Sequence, residues 1–200
     1  MATTAERVRE LRDKTGAGVM DCKEALAAAG DDLEKAVDYL RKKGLASSAK
    51  RAHRTAREGA VGAYIHHNSK VGVLIEVNCE SDFVARTEQF QELVRALALQ
   101  VASANPAYVS REDVPAAVIE REKDIYRQQL ADQKKPPQVL DRIIEGKLGK
   151  FYEEACLLDQ AYVRDASGKT RVKDVVGEVS GKTGEKIAVR RFVRYQVGSE

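Results

Sequence analysis

Apolar residues at helical spacing open the chain. Ala5, Val8 and Leu11 predict a first helix, with Thr3 or Thr4 as its cap. Thr15-Gly16-Ala17-Gly18 breaks it. A second helix is expected from about Val19 to Ala29, with Val19, Cys22, Leu26 and Ala29 on one face and Gly30 at its end. Asp31 then reads as a cap, and Glu34 three residues on completes a capping-box pattern. Leu33, Ala36, Val37 and Leu40 form the inner face of the third helix, which Gly44 should stop. Such narrow stripes make a small core, so residues 1–45 read as a compact three-helix module.

The period changes after residue 57. Ala60 to His67 and Lys70 to Cys79 read as two strands joined by a turn at Asn68-Ser69. Val71, Val73, Ile75 and Val77 alternate, so one face of the second strand is buried. Phe90, Leu93, Val94, Leu97 and Val101 then form a strong helical stripe, ended by Asn105-Pro106. Ser110-Arg111-Glu112-Asp113 signals a helix start, and a charged helix should run to about Gln133 before Pro136-Pro137. The next helix carries Leu140, Ile144, Leu148, Phe151 and Ala155 inward. A short helix over Val172–Val179 and a last strand from Lys186 to Val197 complete the pattern; Ile187, Val189, Val193 and Tyr195 share one face of that strand. Strands and helices do not alternate regularly. The expected class is therefore α+β: a three-helix module, then a core of antiparallel sheet with packed helices over residues 58–200.

Between the two periods, residues 46–57 have no apolar rhythm. From Arg41 to Arg57 there are seven Lys/Arg and no Asp/Glu, which reads as a basic linker. The basic excess is mild: residues 1–57 hold 13 basic and 9 acidic side chains, and the remainder 21 and 22. With a net charge of +3 and no aromatics interleaved with the basic run, nucleic acid is not the expected partner. No run of about 18 apolar residues predicts a membrane span. The N-terminal residues lack an apolar signal core, so a cytoplasmic protein is expected. Cys22, Cys79 and Cys156 are widely spaced and odd in number, which fits reduced thiols.

Catalytic chemistry is hard to find. His66 and His67 are adjacent at a hairpin end and should face opposite sides, so they should not share a metal, and His53 falls in the linker. No Cys-x-x-Cys, G-x-S-x-G or H-E-x-x-H pattern is present, and Thr15-Gly16-Ala17-Gly18 lacks the lysine of a phosphate loop. The expectation is a protein that is not an enzyme and has no cofactor or metal.

Two places look like contacts instead. Arg12 and Met20 each follow an inward residue by one position, about 100° around the helix, so both should leave the core face. An adaptable Met beside an Arg can make an adhesive pair, or Met20 can simply cover the edge of a small core. The second place is Ser81-Asp82-Phe83-Val84, between the buried strand and the helix of Phe90. Asp82 can cap that helix, and Phe83 is either a core plug or a projecting wedge; composition alone favours the cap and plug.

At these residues the chain resembles the bacterial elongation factor Ts family. The resemblance is carried by Leu11-Arg12-Asp13-Lys14-Thr15-Gly16-Ala17-Gly18-Val19-Met20-Asp21-Cys22-Lys23-Glu24-Ala25-Leu26 and by Glu76-Val77-Asn78-Cys79-Glu80-Ser81-Asp82-Phe83-Val84-Ala85-Arg86. It continues through Tyr64-Ile65-His66, Phe151-Tyr152-Glu153-Glu154 and Leu157-Leu158-Asp159-Gln160. Ser81 stands where the family usually has Thr, which keeps the hydroxyl. The resemblance implies a guanine-nucleotide exchange factor for the GTPase elongation factor Tu. It implies a ubiquitin-associated-like module docking through Arg12 and Met20. It further implies that Ser81, Asp82, Phe83 and Val84 bind beside the partner's nucleotide and displace its Mg²⁺. The chain is similar to short members with one core copy, for which a homodimer is expected. A ubiquitin-like-binding adaptor would leave residues 58–200 unexplained, and an RNA-binding protein would rest on Arg41–Arg57 alone.

Overall fold

The computed structural model describes residues 4–131, 133 and 136–199. Eight α-helices and three strands are found among them, and the class is α+β. The order is α1 (Thr4–Thr15), α2 (Val19–Ala28), α3 (Leu33–Arg51), β1 (Glu58–Ile65), β2 (Val71–Cys79), α4 (Asp82–Ala85), α5 (Glu88–Ala104), α6 (Ala116–Leu130), α7 (Pro137–Ala155), α8 (Val172–Thr183) and β3 (Ala188–Gln196). The strands form one antiparallel sheet in the order β1-β2-β3.

Two compact units divide the chain. The first holds residues 1–60, 77–94 and 174–188, and the second holds 61–76, 95–173 and 189–200. In the first unit, Val8, Leu11, Cys22, Ala25, Leu26 and Ala36 make the buried cluster of the three helices, lined by Leu33, Val37 and Leu40. Val19 does not join it and is 45% exposed, because it opens α2 just after the extended Gly18 and has no preceding turn to cover it. Gly30 and Asp31 both take left-handed backbone (φ 62° and 63°), so α3 starts one residue later than expected. Asp32 is its cap, accepting from the Lys35 amide at 3.1 Å. The suggested Thr3 cap of α1 lies outside the described residues.

Gly44 does not stop α3. It lies against Gly181 of α8, where an added Cβ would sit 3.2 Å from the Gly44 Cα, so the two helices cross on bare backbone. The helix continues into the segment expected to be a linker and ends at Arg51. Arg51 is buried, its Nη2 donating to the Ser180 carbonyl at 2.9 Å, while Arg41 pairs with Asp174. The basic run is thus partly a packed helix: the long stems of Arg41 and Arg51 cover α8 while their charged heads find oxygens there. At the start of β1, Gly59 (φ 145°) leaves room for β2; a Cβ there would lie 2.1 Å from the Val77 carbonyl oxygen.

In the second unit Val73 and Ile75 of β2 are buried, as are Leu97, Ala98 and Val101 of α5. Gln100 and Gln160 form a buried amide pair at 3.1 Å. Gln100 also accepts from the Val163 amide, and Gln160 also donates to the Glu154 carbonyl. Asp159 is held between Arg111 (2.8 Å) and Lys173 (3.0 Å). Burial raises the Asp159 pKa, and the two cations outweigh that effect, leaving the carboxyl below its ordinary range. Ser110 and Asp113 make a true capping box, but it closes only a 3₁₀ turn, and α6 begins after Pro115. Of the α7 stripe only Ile144 is fully buried. Cys156 caps the end of α7 rather than lying on its inner face, and it bridges to Tyr108.

Candidate functional site

All six residues singled out as contacts fall in the first compact unit. On the helical module, Arg12 is exposed at the end of α1, and Met20 is 75% exposed in the first turn of α2. Met20 therefore does not close the edge of the core. The surface beside it is pinned by Lys43 of α3, which donates to Asp21 (2.8 Å) and Glu24 (2.6 Å), while the Tyr39 hydroxyl donates to Glu24 at 2.7 Å. The hydrogen bonds from Lys43 and Tyr39 hold the Glu24 carboxyl below its ordinary range. Those to Asp21 and Glu24 hold the Lys43 ammonium above its own. These ties hold α2, which carries Met20, against α3.

The second cluster is a single turn. Ser81 is the cap of α4: its backbone is extended and its Oγ accepts from the Val84 amide at 3.3 Å. The cap is Ser81 and not Asp82, and Asp82 instead pairs with Arg86 one turn on, at 2.8 Å. That exposed pair costs little to open. Phe83 is 80% exposed, which overturns the plug that composition favoured. The buried side chains near this turn are Ala85 and Phe90 of α5. Val84 is half-buried at the base of the turn, and its carbonyl accepts from Thr87.

Sequence reasoning missed what holds this turn from outside. Glu185, beyond the end of α8, accepts from the amides of Glu80 and Ser81, both at 3.0 Å, and from the Ser81 hydroxyl at 2.6 Å. Glu80 accepts in return from the Lys186 amide and pairs with Arg54 at 3.3 Å. The Lys186 hydrogen bond, with Arg54 adding to it, keeps the Glu80 carboxyl below its ordinary range. The separation of about a hundred residues in the chain left no local signal for this clamp.

Other candidate chemistry stays dispersed. His66 and His67 follow the end of β1 and do not face apart; their ring centroids are 4.2 Å apart, and His66 Nδ1 bonds the Tyr64 hydroxyl at 2.9 Å. Both sit in the turn, where strand alternation no longer applies. All three thiols are fully buried. Burial pushes Cys79 and Cys156 up to about 11, with the Glu185 charge adding to the first and Asp159 to the second. Among the described residues no three His, Cys, Asp or Glu are grouped to hold a metal, and no helix is long and apolar enough to cross a membrane. What stands out is a pair of exposed apolar side chains, Met20 in the first turn of α2 and Phe83 on α4.

Comparison with known proteins gives a consistent result. The family model described as elongation factor TS matches residues 34–199. An elongation factor Ts of Caldanaerobacter subterraneus subsp. tengcongensis is 56% identical over 195 residues, covering 98% of this chain and 96% of the relative. Those of Thermodesulfovibrio yellowstonii and Thermotoga maritima are each 54% identical over 198 residues, covering 99% of this chain and 98% of the relative.

Proposed function

This chain belongs to the elongation factor Ts family, and from that premise we propose that it is a cytoplasmic guanine-nucleotide exchange factor for elongation factor Tu in translation elongation. The observation that supports the reading best is Phe83, an aromatic ring 80% exposed on a turn capped by Ser81. An exposed phenylalanine offers apolar area that a partner can bury, and aromatic rings are frequent anchors of interfaces. Arg12 and Met20 dock the three-helix, ubiquitin-associated-like module on the GTPase. Ser81, Asp82, Phe83 and Val84 insert beside the bound nucleotide, where they displace Mg²⁺ and weaken the hold on the phosphates. The protein makes and breaks no covalent bond in this reading.

The energetics are within reach of such a surface. A nucleotide bound near 1 nM is held by about 12 kcal/mol. Speeding its release by about 10⁴ takes roughly 5.5 kcal/mol, which two or three hot-spot residues can supply. Linkage makes the effect reciprocal: a factor that weakens nucleotide binding is itself expelled when GTP binds. Asp82 is well placed to take part, since only the exposed Arg86 must be released. The decisive experiment is release of labelled GDP from elongation factor Tu with and without this protein. Acceleration supports the reading, and an unchanged rate refutes it.

A homodimer is part of the proposal. Alternation along the strands of the second unit puts Val61 (69% exposed), Ile65 (65%), Leu74 (49%) and Tyr195 (70%) on one open face. Val193 joins them, and Arg191 and Glu76 pair at 2.7 Å beside them. A second copy of the same face is a complementary cover for it, with the charges at its margin. Sedimentation at micromolar concentration should show a dimer, and a monomer throughout would refute this part.

A further inference from the structure

The turn that carries Phe83 cannot orient itself. α4 is four residues long, one helical turn, and such a segment has no stability of its own in water. Phe83 is too exposed to be held by packing, so the direction of its ring follows from whatever fixes the residues at its base.

Those residues are fixed by one carboxylate. Glu185 Oε2 accepts the amides of Glu80 and Ser81 at 3.0 Å, and Oε1 accepts the Ser81 hydroxyl at 2.6 Å. Because the hydroxyl proton is spent on Glu185, the lone pairs of Ser81 Oγ are left for the Val84 amide, which is the bond that caps α4. Glu185 thus sets both the backbone leading into the turn and the rotamer of its cap. Hydrogen bonds to an ionised acceptor are roughly twice as strong as neutral ones. The carboxylate is anchored in turn. Gly184 takes left-handed backbone (φ 72°) to swing the chain out of α8. The Glu185 carbonyl accepts from Ser180 Oγ at 2.6 Å, and Lys186 Nζ reaches the carbonyls of Ala52 (2.7 Å) and Arg54 (2.8 Å). Glu80 closes the loop by accepting the Lys186 amide.

We propose that Glu185 is a positioning residue for nucleotide exchange: it acts through Ser81 to hold Asp82 and Phe83 in the inserting pose. This rests on the exchange reading above and adds to it a residue about a hundred positions along the chain, bonded to the base of the turn. Glu185 itself need not touch the GTPase. Its loss should therefore lower the maximal rate of exchange and leave the concentration for half-maximal effect nearly unchanged.

The test combines two measurements on the full chain. In the free protein, Glu185→Ala should speed hydrogen exchange at the amides of Glu80, Ser81 and Val84 by about tenfold or more, with α5 still protected. In GDP release from elongation factor Tu, the same variant should lower the maximal rate by about tenfold, the effect of about one strong hydrogen bond. Glu185→Gln keeps an oxygen for the two amides and should restore most of that rate. Should Glu185→Ala lose protection throughout α5, the Gln variant decides: if it keeps wild-type protection at the amides of Glu80, Ser81 and Val84 yet is as slow as Phe83→Ala, the positioning role is refuted. Glu185→Ala that matches wild type in both measurements, while Phe83→Ala is impaired, overturns the clamp alone. A raised half-maximal concentration with an unchanged maximal rate makes Glu185 a docking contact and also overturns it. Phe83→Ala equal to wild type overturns the exchange reading and the positioning role with it.

Discussion

Replacing Phe83 with alanine should separate nucleotide exchange from folding. The ring is 80% exposed, so only about a fifth of the side chain is covered. Full burial of a phenylalanine is worth about 1.5–3 kcal/mol, and a fifth of that is about 0.3–0.6 kcal/mol. The α4 cap is made by Ser81 and the amide of Val84, and neither depends on the ring. Unfolding in urea should therefore shift by less than about 0.6 kcal/mol. The exchange step should respond very differently. Truncating an aromatic hot spot costs roughly 2–4 kcal/mol, which is about 30- to 1000-fold in rate. Stopped-flow release of a fluorescent GDP from elongation factor Tu reads this directly, with the urea titration run on the same preparation. Phe83→Leu keeps apolar volume but no ring, and should fall between the two. An unchanged release rate would refute the wedge. A stability loss above about 1.5 kcal/mol would show that the ring packs more than its exposure allows.

Other consequences follow from the interior. Gly59→Ala should cost at least about 3 kcal/mol or prevent folding, because its Cβ would lie 2.1 Å from the Val77 oxygen; a fall in Tm of only a few degrees would refute the argument. Cys79 and Cys156, pushed up to about 11, should react with a thiol reagent at pH 7 only after the chain is unfolded, and immediate labelling of the native protein would count against their burial. Asp159, whose carboxyl folding holds below its ordinary range, contributes stability above about pH 4; that contribution is lost as pH falls through the folded-state value. Asp159→Asn should lower stability at pH 7 by about 1–3 kcal/mol and flatten the acid limb of the pH profile, and an unaltered acid limb would refute the assignment.

Much of this architecture was legible where one period dominates. The stripe from Phe90 to Val101 and the alternation from Val71 to Val77 predicted α5 and β2, because a single buried face dictates each pattern. The offset of Met20 from the core stripe was readable for the same reason. The failures came where a distant segment decides the outcome. Gly44 reads as a stop, yet Gly181, far along the chain, makes it a crossing point. Ser110-Arg111-Glu112-Asp113 reads as a helix start and does form a capping box, but Pro115 resets the start of α6. Phe83 was ambiguous by composition, since exposure depends on what else fills the nearby core, and only the family resemblance favoured the wedge. Glu185 had no local mark because its partners lie in another part of the chain.

The uninterrupted path of α3 to Arg51 has one more implication. A flexible tether would let Met20 and Phe83 find their targets one after the other, at an effective concentration set by tether length. A helix instead works as a spacer of fixed pitch: each added residue advances it by about 1.5 Å and turns it by about 100°. Inserting one residue after Gly44 would twist the Met20 surface out of phase with Phe83, while a change in tether composition would have been tolerated. Under the proposed docking, a substitution on either surface acts locally, whereas a change of length between them shifts one surface against the other.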